Sequence, residues 1–278
     1  MSQKIIAFQG LRGAYSELAI EAHFAGPSMT VVPLPLPSFD AVFASLITGQ
    51  ADAALLPFEN SLAGMIHENF DLLARREVEI VGEHILAVQH CLLTAPGMKQ
   101  ADIDTVISHP QALAQCANFI RQNGWKPEAF FDTAGAAAHL ARERPSGTAA
   151  IASSQAARLY QLEIAATGIA DQGENLTRFL HLEKKGSRVF ESGGKGRAVS
   201  LLLVRLHAAE PGLTQLLKEC ELEVLHCEAR PTKEAAWTYY YFLEVAAHPG
   251  HPAWPEALDR LQRKAQSVRV MGSYYSQR

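Results

Sequence analysis

Short apolar runs alternate with stretches of helical periodicity over the first two thirds of the chain, and this alternation constrains the fold more than any other feature. Lys4–Phe8 reads as a strand, and a glycine-containing turn and a helix over Tyr15–Phe24 follow it. The next strands are predicted at Thr30–Leu34 and Ala51–Leu56, with a helix capped by Ser38 between them. Alternating β and α elements predict parallel sheets with helices on both faces.

A second cycle of the same alternation follows a predicted helix over Ser61–Arg75. Its predicted strands and helices are Ile85–Thr94, Thr105–Ser108, Pro110–Gln122, Ala129–Phe131, Thr133–Arg144, Thr148–Ala152 and Ser153–Leu162. A late strand at Thr177–Leu182 is expected to return to the first lobe. Two lobes would then enclose a cleft, which is the kind of place where open α/β sheets bind ligands.

A polar, glycine-rich stretch over residues 184–197 has little periodicity, which is typical of a linker. After it, strands and helices follow in the order βαββαβ, from Ala198–Leu206 to Val268–Met271. That order is the ferredoxin-like pattern. The sequence therefore predicts an α/β protein with a two-lobed domain over 1–183, a linker over 184–197 and a smaller domain over 198–278.

The charge and composition of the 278 residues argue against several classes of function. The formal net charge of -4 argues against a protein that binds nucleic acid through bulk electrostatics. No apolar run reaches the roughly 20 residues that a membrane span needs, and the start of the chain does not resemble a signal peptide, so we expect a cytoplasmic protein without membrane contacts. The four cysteines form no CxxC pair, so we expect neither disulfides nor a metal site.

Thr177 and Arg178 are adjacent in the sequence Asn-Leu-Thr-Arg-Phe, residues 175–179. An arginine fork can hold a carboxylate with two hydrogen bonds, and a neighbouring hydroxyl can donate a hydrogen bond to a departing hydroxide. The pair therefore fits an anionic substrate that loses a hydroxyl group. On its own the triplet is a weak signal, and a strand with one solvated arginine is the plain alternative.

Three further segments place polar side chains where a predicted strand meets a predicted helix. Asn60 and Ser61 lie in the first, Ser108 and Gln115 in the second, and Thr133 in the third. Backbone N–H groups at a helix start attract anions, and these side chains add hydrogen-bond donors. Ordinary helix capping is the alternative at each of these turns.

Six segments resemble the prephenate dehydratase family and occur in the family's order. They are FQGLRGAYSE (8–17), PFENSLAG (57–64), SHPQALAQC (108–116), DTAGAA (132–137), AAIAS (149–153) and ENLTRF (174–179). Near the C-terminus, CEARP (227–231), WTYYYFLEV (237–245) and MGSY (271–274) resemble the family's ACT regulatory domain. The resemblance implies a periplasmic-binding-protein-like catalytic domain of two lobes, then a ferredoxin-like ACT domain, with no metal or organic cofactor.

The resemblance also implies roles for individual residues. Thr177 corresponds to the family's catalytic hydroxyl, and Arg178 to a residue expected to anchor a substrate carboxylate. The motif matches give the substrate-binding residues as Asn60, Ser61, Ser108, Gln115, Thr133 and Phe179. The activity implied is the decarboxylating dehydration of prephenate to phenylpyruvate. Arogenate dehydratase, which uses the same motifs, and a ligand-binding module without catalysis are the two alternatives.

Two departures from the family's pattern bear on function. Ala14 stands in a motif that often has a threonine there, so its side chain offers no hydroxyl. The ACT-like region is shortened between its two effector segments; the resemblance places effector binding at Gly212, Leu213, Glu228, Ala229, Arg230 and Pro231. L-phenylalanine is the implied effector. The family resemblance and an apolar strand edge that needs a cover imply a homodimer or homotetramer.

Overall fold

A βαβαβ unit begins the first lobe of the computed structural model, which describes residues 2–26, 29–187, 190, 193–194, 196–207 and 213–278. Its elements are β1 (Ser2–Gln9), α1 (Tyr15–His23), β2 (Met29–Leu36), α2 (Phe39–Thr48) and β3 (Ala53–Asn60). β1 lies between β2 and β3 and pairs in parallel with both. The Ser38 hydroxyl accepts a hydrogen bond from the Ala41 amide at 3.2 Å, so the predicted cap of α2 is confirmed.

The turn after β3 differs from the prediction. The helix predicted over Ser61–Arg75 begins only at α3 (His67–Arg75), after a short strand β4 (Gly64–Met65). The side-chain oxygen of Asn60 accepts from the Leu62 and Ala63 amides at 3.1 and 2.9 Å. These two bonds close a local turn at Asn60 that leads into β4, and α3 begins only at His67.

The strand predicted over Ile85–Thr94 is in fact two strands in two different sheets. β5 (Val78–Ala87) belongs to the first lobe and β6 (Cys91–Thr94) to the second, so residues 88–90 carry the chain between lobes. Both halves are apolar and strand-like, and the apolar pattern alone therefore gives no sign of the crossing.

The second lobe is built on a five-stranded sheet in the order β10-β6-β9-β7-β8. Its remaining elements are β7 (Thr105–Ser108), α4 (Pro110–Gln115), α5 (Ala117–Gln122), β8 (Lys126–Ala129), α6 (Thr133–Glu143), β9 (Thr148–Ala152), α7 (Ser154–Tyr160) and β10 (Glu163–Thr167). β7 pairs in parallel with β8 and β9, whereas β6 pairs antiparallel with β9 and β10. The sheet is therefore mixed and not parallel throughout, and β10 is a strand that the sequence pattern does not predict.

The helix predicted over Pro110–Gln122 is interrupted at Cys116, between α4 and α5. Asp171 supplies hydrogen bonds at the interruption. Its amide donates to the Gln115 carbonyl at 2.7 Å, and its carboxylate accepts from the Asn118 amide at 3.1 Å. The break leaves Gln115 as the last residue of α4, beside the space between the lobes.

β11 (Leu176–Lys184) returns the chain to the first lobe, as predicted. It lies between β3 and β5 and pairs antiparallel with both. The first-lobe sheet is therefore also mixed. The chain crosses between two α/β lobes twice, which confirms the predicted two-lobed architecture and leaves a cleft between the lobes.

The C-terminal elements form a ferredoxin-like unit. They are β12 (Arg197–Arg205), α8 (Leu213–Glu219), β13 (Val224–Pro231), β14 (Tyr239–Val245), α9 (Trp254–Lys264) and β15 (Ser267–Ser276), with the strand order β13-β14-β12-β15. β15 also pairs with β5 through Gly272 and Ile80, so the unit and the first lobe share one ten-stranded sheet. A Cβ atom on Gly272 would lie 2.0 Å from the Ile80 carbonyl oxygen, which makes glycine a requirement of this contact.

The shared sheet encloses a shared core. The rings of Phe58 and Phe242 both pack edge-on against Phe70, with centroid distances of 5.1 and 5.0 Å. Phe58 and Phe70 belong to the first lobe and Phe242 to the C-terminal unit, and all three are buried. The first lobe and the C-terminal unit are therefore packed together as one body, whereas the second lobe has cores of its own.

Candidate functional site

The cleft between the lobes contains a cavity of about 190 Å³. Its lining comes from both lobes and consists of Tyr15, Ser16, Pro57, Asn60, Ile66, Val88, His90, His109, Gln111, Ala112, Gln115, Thr133, Asn175, Thr177 and Phe179. A larger cavity of about 1010 Å³ lies beside β5 and β15, but the residues described around it include none of the catalytic-domain motif residues. The 190 Å³ cavity, which gathers residues from five of the six motifs, is therefore the candidate site.

Thr177 offers its hydroxyl proton to this cavity. The amides of Leu62 and Ala63 fix the side-chain oxygen of Asn60 as an acceptor, so the Nδ2 atom of Asn60 must point the other way. That Nδ2 atom lies 3.0 Å from the Thr177 Oγ1 atom. Because Thr177 accepts this hydrogen bond from an amide, its own O–H remains a donor for a ligand.

A chain of side-chain hydrogen bonds continues from Asn60 across the cleft. Asn60 Nδ2 donates to Asn175 Oδ1 at 2.6 Å, and Asn175 Nδ2 donates to Gln115 Oε1 at 3.1 Å. The same Gln115 oxygen lies 2.8 Å from His90 Nε2. Since two donors occupy the Gln115 oxygen, its amide nitrogen is left as a second donor for a ligand.

The chain ends at His90 and Tyr15. The Tyr15 hydroxyl lies 2.9 Å from both His90 Nδ1 and the Gln89 carbonyl oxygen. Burial lowers the pKa of His90, against an opposing hydrogen bond to Gln115. Burial also raises the pKa of Tyr15 well above its ordinary value, so this phenol keeps its proton.

Sequence reasoning did not identify Tyr15, His90 and Asn175 as site residues. Tyr15 and Asn175 lie inside quoted motifs, so a role for them could have been considered. His90 carries no such signal, because it belongs to the crossing segment inside what reads as one strand.

Arg178 is not in the cleft, and its predicted role as a substrate anchor is wrong. Side chains alternate along a strand, so Thr177 and Phe179 face the cleft while Arg178 faces away. Its Nε atom contacts Glu83 at 2.5 Å, and its Nη2 atom contacts Glu244 at 2.5 Å and the Tyr274 hydroxyl at 2.8 Å. These protein groups occupy the guanidinium, and Arg178 is not among the residues that line the cavity, so it is not placed to bind a substrate carboxylate.

These residues form a buried network between the first lobe and the C-terminal unit. We call it the seam; its members are Glu83, Arg178, Glu244, Tyr274 and Ser276, and the Ser276 hydroxyl donates to Glu83 at 3.1 Å. Burial alone would lower the pKa of Arg178, but the surrounding groups, first Tyr274 and then Glu244, raise it above its ordinary value. The seam is therefore a structural ion network.

Two other predicted site residues also lie outside the cavity lining. Ser108 is fully buried and its hydroxyl donates to the Ile151 carbonyl at 2.6 Å, which links β7 to β9 and keeps the hydroxyl away from substrate. The Ser61 hydroxyl accepts from the Leu176 amide at 2.9 Å and holds the start of β11. Thr133 at the start of α6 and Phe179 on β11 both line the cavity.

The cleft offers donors to an anion without a permanent positive charge. Among the described residues that line it, none is Lys, Arg, Asp or Glu. Tyr15 stands at the first position of α1, which has no side-chain cap and where the helix dipole favours negative charge, whereas at the start of α6 the Asp132 side chain already accepts from the Gly135 amide. The arrangement therefore suits a polar, anionic ligand that is held by neutral donors.

Most of the residues predicted to bind an effector lie on β13, next to α3, and one lies at the start of α8. Arg230 on β13 holds Asp71 of α3 with two hydrogen bonds, at 2.9 and 3.1 Å, and Glu228 lies 3.1 Å from His67. Burial alone would raise the pKa of Asp71, but hydrogen bonds, first from Arg230, lower it. The predicted effector residues Ala229 and Pro231 lie on the same strand and Leu213 begins α8, while Gly212 is outside the described residues.

The described ranges contain neither a cluster of metal ligands nor a membrane-spanning helix. No cluster of three or more His, Cys, Asp or Glu side chains there has the geometry of a metal site. No helix in the same part of the chain is both long and apolar enough to cross a membrane. The four cysteines are free thiols, of which Cys227 is exposed.

The chain is similar to known proteins over nearly its whole length. Residues 6–187 match the prephenate dehydratase family. Arogenate dehydratase/prephenate dehydratase 2 of Arabidopsis thaliana, a chloroplast protein by its name, is 38% identical over 284 residues, covering 97% of this chain and 72% of that protein. Arogenate dehydratase 2 of Petunia hybrida is 38% identical over 286 residues, covering 98% of this chain and 71% of that protein.

Two solved structures share the fold over nearly the whole chain. GqqA, described as a quorum quenching acylase, has a TM-score of 0.85 at 34% identity and covers 99% of each chain. A prephenate dehydratase from Arthrobacter aurescens, solved in complex with L-Phe, has a TM-score of 0.85 at 24% identity, covering 98% of this chain and 90% of that one. Together with the sequence relatives, these matches establish that the chain belongs to the prephenate dehydratase family.

Proposed function

We propose that this protein catalyses the decarboxylating dehydration of prephenate to phenylpyruvate. The observation that carries the proposal is the orientation of the Thr177 hydroxyl. Asn60 donates to Thr177, so the hydroxyl proton is directed to a ligand in the cleft. A positioned donor that does not ionise is the group needed to stabilise a departing hydroxide.

The reaction requires little from the protein beyond binding and orientation. The bond between the ring and its carboxylate breaks, the electron pair moves through the ring, and the C–O bond to the ring hydroxyl breaks. The products are CO2, an aromatic 2-keto acid and a hydroxide, which takes up one proton to become water. A single preorganised donor such as Thr177 is worth about 10²–10³ in rate.

The two carboxylates of prephenate need hydrogen-bond donors, because burying an unpaired anion is costly. We infer that the amide nitrogen of Gln115 and the backbone N–H groups at the start of α1 supply them. This binding mode replaces the carboxylate anchor predicted at Arg178. Phe179 is available as an apolar wall for the ring.

The test is conversion of prephenate followed through the absorbance of phenylpyruvate. We expect turnover by the wild type and a kcat reduced by about 10² or more in Thr177→Ala, with a smaller change in KM. Thr177→Ser keeps the hydroxyl and is the matched control. No product from the wild type would support the ligand-binding module in place of the enzyme, and near wild-type turnover by Thr177→Ala would refute the role of the hydroxyl.

Arogenate is the alternative substrate, since the Arabidopsis and Petunia relatives are named as arogenate dehydratases. Arogenate carries an ammonium group where prephenate has a keto oxygen. The described lining includes no carboxylate to pair with an ammonium, which favours prephenate. The ratio of kcat/KM for the two substrates decides between them, and a ratio in favour of arogenate would reverse the assignment.

An acylase activity is a second candidate, on the strength of the 34% identity with GqqA over 99% of both chains. The assay is release of a free amine from an N-acyl homoserine lactone, with the Thr177→Ala variant beside the wild type. If the rate of amine release exceeds the rate of prephenate turnover, the acylase reaction is the main activity.

We propose that the C-terminal unit is an ACT regulatory domain that binds L-phenylalanine and contributes to a homodimer or homotetramer. The L-Phe complex of the Arthrobacter protein and the link from Arg230 to α3 support regulation through β13. Light scattering and a titration of activity with L-phenylalanine test both parts. A mass of one chain would refute the oligomer, and a flat response up to millimolar concentration would refute the effector.

We propose the cytoplasm as the location of the protein, which cell fractionation tests.

A further inference from the structure

The cleft must bind a dianion, yet the described residues that line it include neither lysine nor arginine. Helix dipoles and amides stabilise negative charge only in part. The basic side chains of the described lining are His90 and His109. A positive charge on one of them would pair with a substrate carboxylate.

The donor-to-acceptor direction of the hydrogen bonds from Asn60 to His90 requires one ring nitrogen of His90 to carry a hydrogen. Backbone amides orient Asn60, Asn60 orients Asn175, and Asn175 leaves the Gln115 oxygen as an acceptor. His90 Nε2, at 2.8 Å from that oxygen, must therefore carry a hydrogen. The charge of the ring then depends on whether the other nitrogen, Nδ1, carries a second one.

Tyr15 can accommodate either state of His90 Nδ1. Its hydroxyl lies 2.9 Å from Nδ1 and 2.9 Å from the Gln89 carbonyl oxygen, although a phenol has one proton to donate. When His90 is neutral, Tyr15 donates to Nδ1. When His90 is charged, the Nδ1–H group donates to the Tyr15 oxygen and the phenol proton turns to Gln89. Neither state leaves a buried donor without an acceptor, and no heavy atom needs to move.

We propose that His90 is a substrate-binding residue that is neutral in the empty cleft and becomes protonated when the dianion binds. Tyr15 acts as the positioning residue that makes both states possible. This inference rests on the proposed function, because prephenate is the dianion in question.

The surroundings of His90 keep the ring neutral until a ligand arrives. Burial lowers its pKa below the ordinary 6.5, although Gln115 acts in the opposite direction. The titratable groups on the elements packed around the pair are Tyr15 of α1, Cys91 of β6, His109 and Cys116 at the two ends of α4, and Asp171, whose amide donates to the Gln115 carbonyl. Burial raises the pKa of Tyr15, Cys91 and Cys116, that of Cys116 to about 12, so these three groups add no charge at neutral pH.

The pH dependence of binding follows from these directions. A carboxylate within about 4–6 Å raises the pKa of a cation by about 1–3 units. Binding of the dianion would therefore cause His90 to take up a proton at pH values between its pKa in the empty cleft, below 6.5, and its higher pKa in the complex. Affinity is expected to fall as pH rises through this window, by about tenfold or more in total.

The experiment is calorimetric titration of Thr177→Ala with prephenate at pH 7, in two buffers of different ionisation enthalpy. Thr177→Ala slows turnover and so allows binding to be measured. We expect proton uptake of a large fraction of one proton per site. Adding His90→Gln, which keeps a donor for Gln115, should abolish the uptake and weaken binding by about tenfold. His109→Gln is the matched control and should leave the uptake in place, while Tyr15→Phe should reduce it.

A second measurement does not depend on the Thr177 variant. Wild-type kcat/KM should decline between pH 6 and 8, and the His90→Gln profile should be flat over the same range. The inference would be overturned if the wild type converts prephenate but binding takes up no proton. It would also be overturned if proton uptake persists in His90→Gln or disappears in His109→Gln. Each of these outcomes leaves the proposed function intact. Failure of the wild type to bind or convert prephenate would overturn both.

Discussion

The cleft and the seam lie on opposite faces of β11, where Thr177 and Arg178 are neighbours, and they bury polar groups by different means. The cleft is lined by neutral side chains whose hydrogen bonds to one another leave donors facing a ligand. In the seam, one arginine and two glutamates use their hydrogen bonds on one another. A site that must accept an outside charge keeps its donors available, whereas a contact between domains satisfies its charges internally.

Removing the seam arginine should have the largest effect. Arg178→Met leaves Glu83 and Glu244 buried without their cation, so we expect the free energy of unfolding to fall by about 3–5 kcal/mol. Denaturant titration measures it. The control is Arg142→Met, which breaks the exposed pair with Glu143 and should change stability by at most about 0.5 kcal/mol. A loss below about 1 kcal/mol for Arg178→Met would show that the seam charges are not desolvated.

Replacing the donor group of Asn60 by an acceptor should lower the activity without destabilising the fold. An aspartate in Asn60→Asp can still accept from the Leu62 and Ala63 amides, but it cannot donate to Thr177, whose proton it would capture. We expect kcat/KM for prephenate to fall by about 10² or more. Asn123→Asp adds the same charge at an exposed position and should leave kinetics unchanged. Retention of activity by Asn60→Asp would mean that the orientation of the Thr177 hydroxyl does not matter.

A smaller effect is expected where a single binding donor is lost. Gln115→Glu keeps an acceptor for His90 and Asn175 but removes the amide nitrogen that we assign to a substrate carboxylate. KM should rise by about tenfold or more, and by more than kcat falls, because a hydrogen bond to a charged group is lost and a carboxylate now faces the dianion. Steady-state kinetics on prephenate measure both constants. A fall in kcat at constant KM would instead give Gln115 a part in the chemical step.

The smallest effect tests whether the two faces of β11 are independent. Tyr274→Phe removes one hydroxyl from the seam, while Arg178 keeps both carboxylates. We expect a loss of about 1 kcal/mol in the free energy of unfolding and no change in kcat/KM. Thermal denaturation and kinetics on the same sample check the two halves of this expectation. A reduced kcat would show that the seam acts on Thr177 through the strand.

Part of this contrast could be predicted from the sequence. The motifs contain Thr177, Asn60, Gln115 and Thr133, all of which line the cleft, because the sequence around each of them is a local feature. The error at Arg178 was avoidable in principle. Adjacent residues of a strand face opposite sides, so a cleft-facing Thr177 excludes its neighbour.

Other features depend on contacts that no local pattern contains. The partners of Arg178 lie far along the chain, at Glu83, Glu244 and Tyr274, and nothing near Arg178 announces them. His90 reaches the cleft because the chain leaves one sheet for another at that point. The break at Cys116 likewise depends on Asp171, which no helical periodicity over Pro110–Gln122 reveals.

The pairing of Gly272 with Ile80 limits how freely the C-terminal unit could be exchanged among proteins. A chain cut within residues 184–197 would uncover the outer edge of β5, together with the apolar ring of Phe70. Unpaired edges of this kind recruit strands from neighbouring molecules and lead to aggregation. A recombinant catalytic fragment would therefore need an artificial edge cover, and a chimera would have to inherit the glycine and its partner strand from one parent.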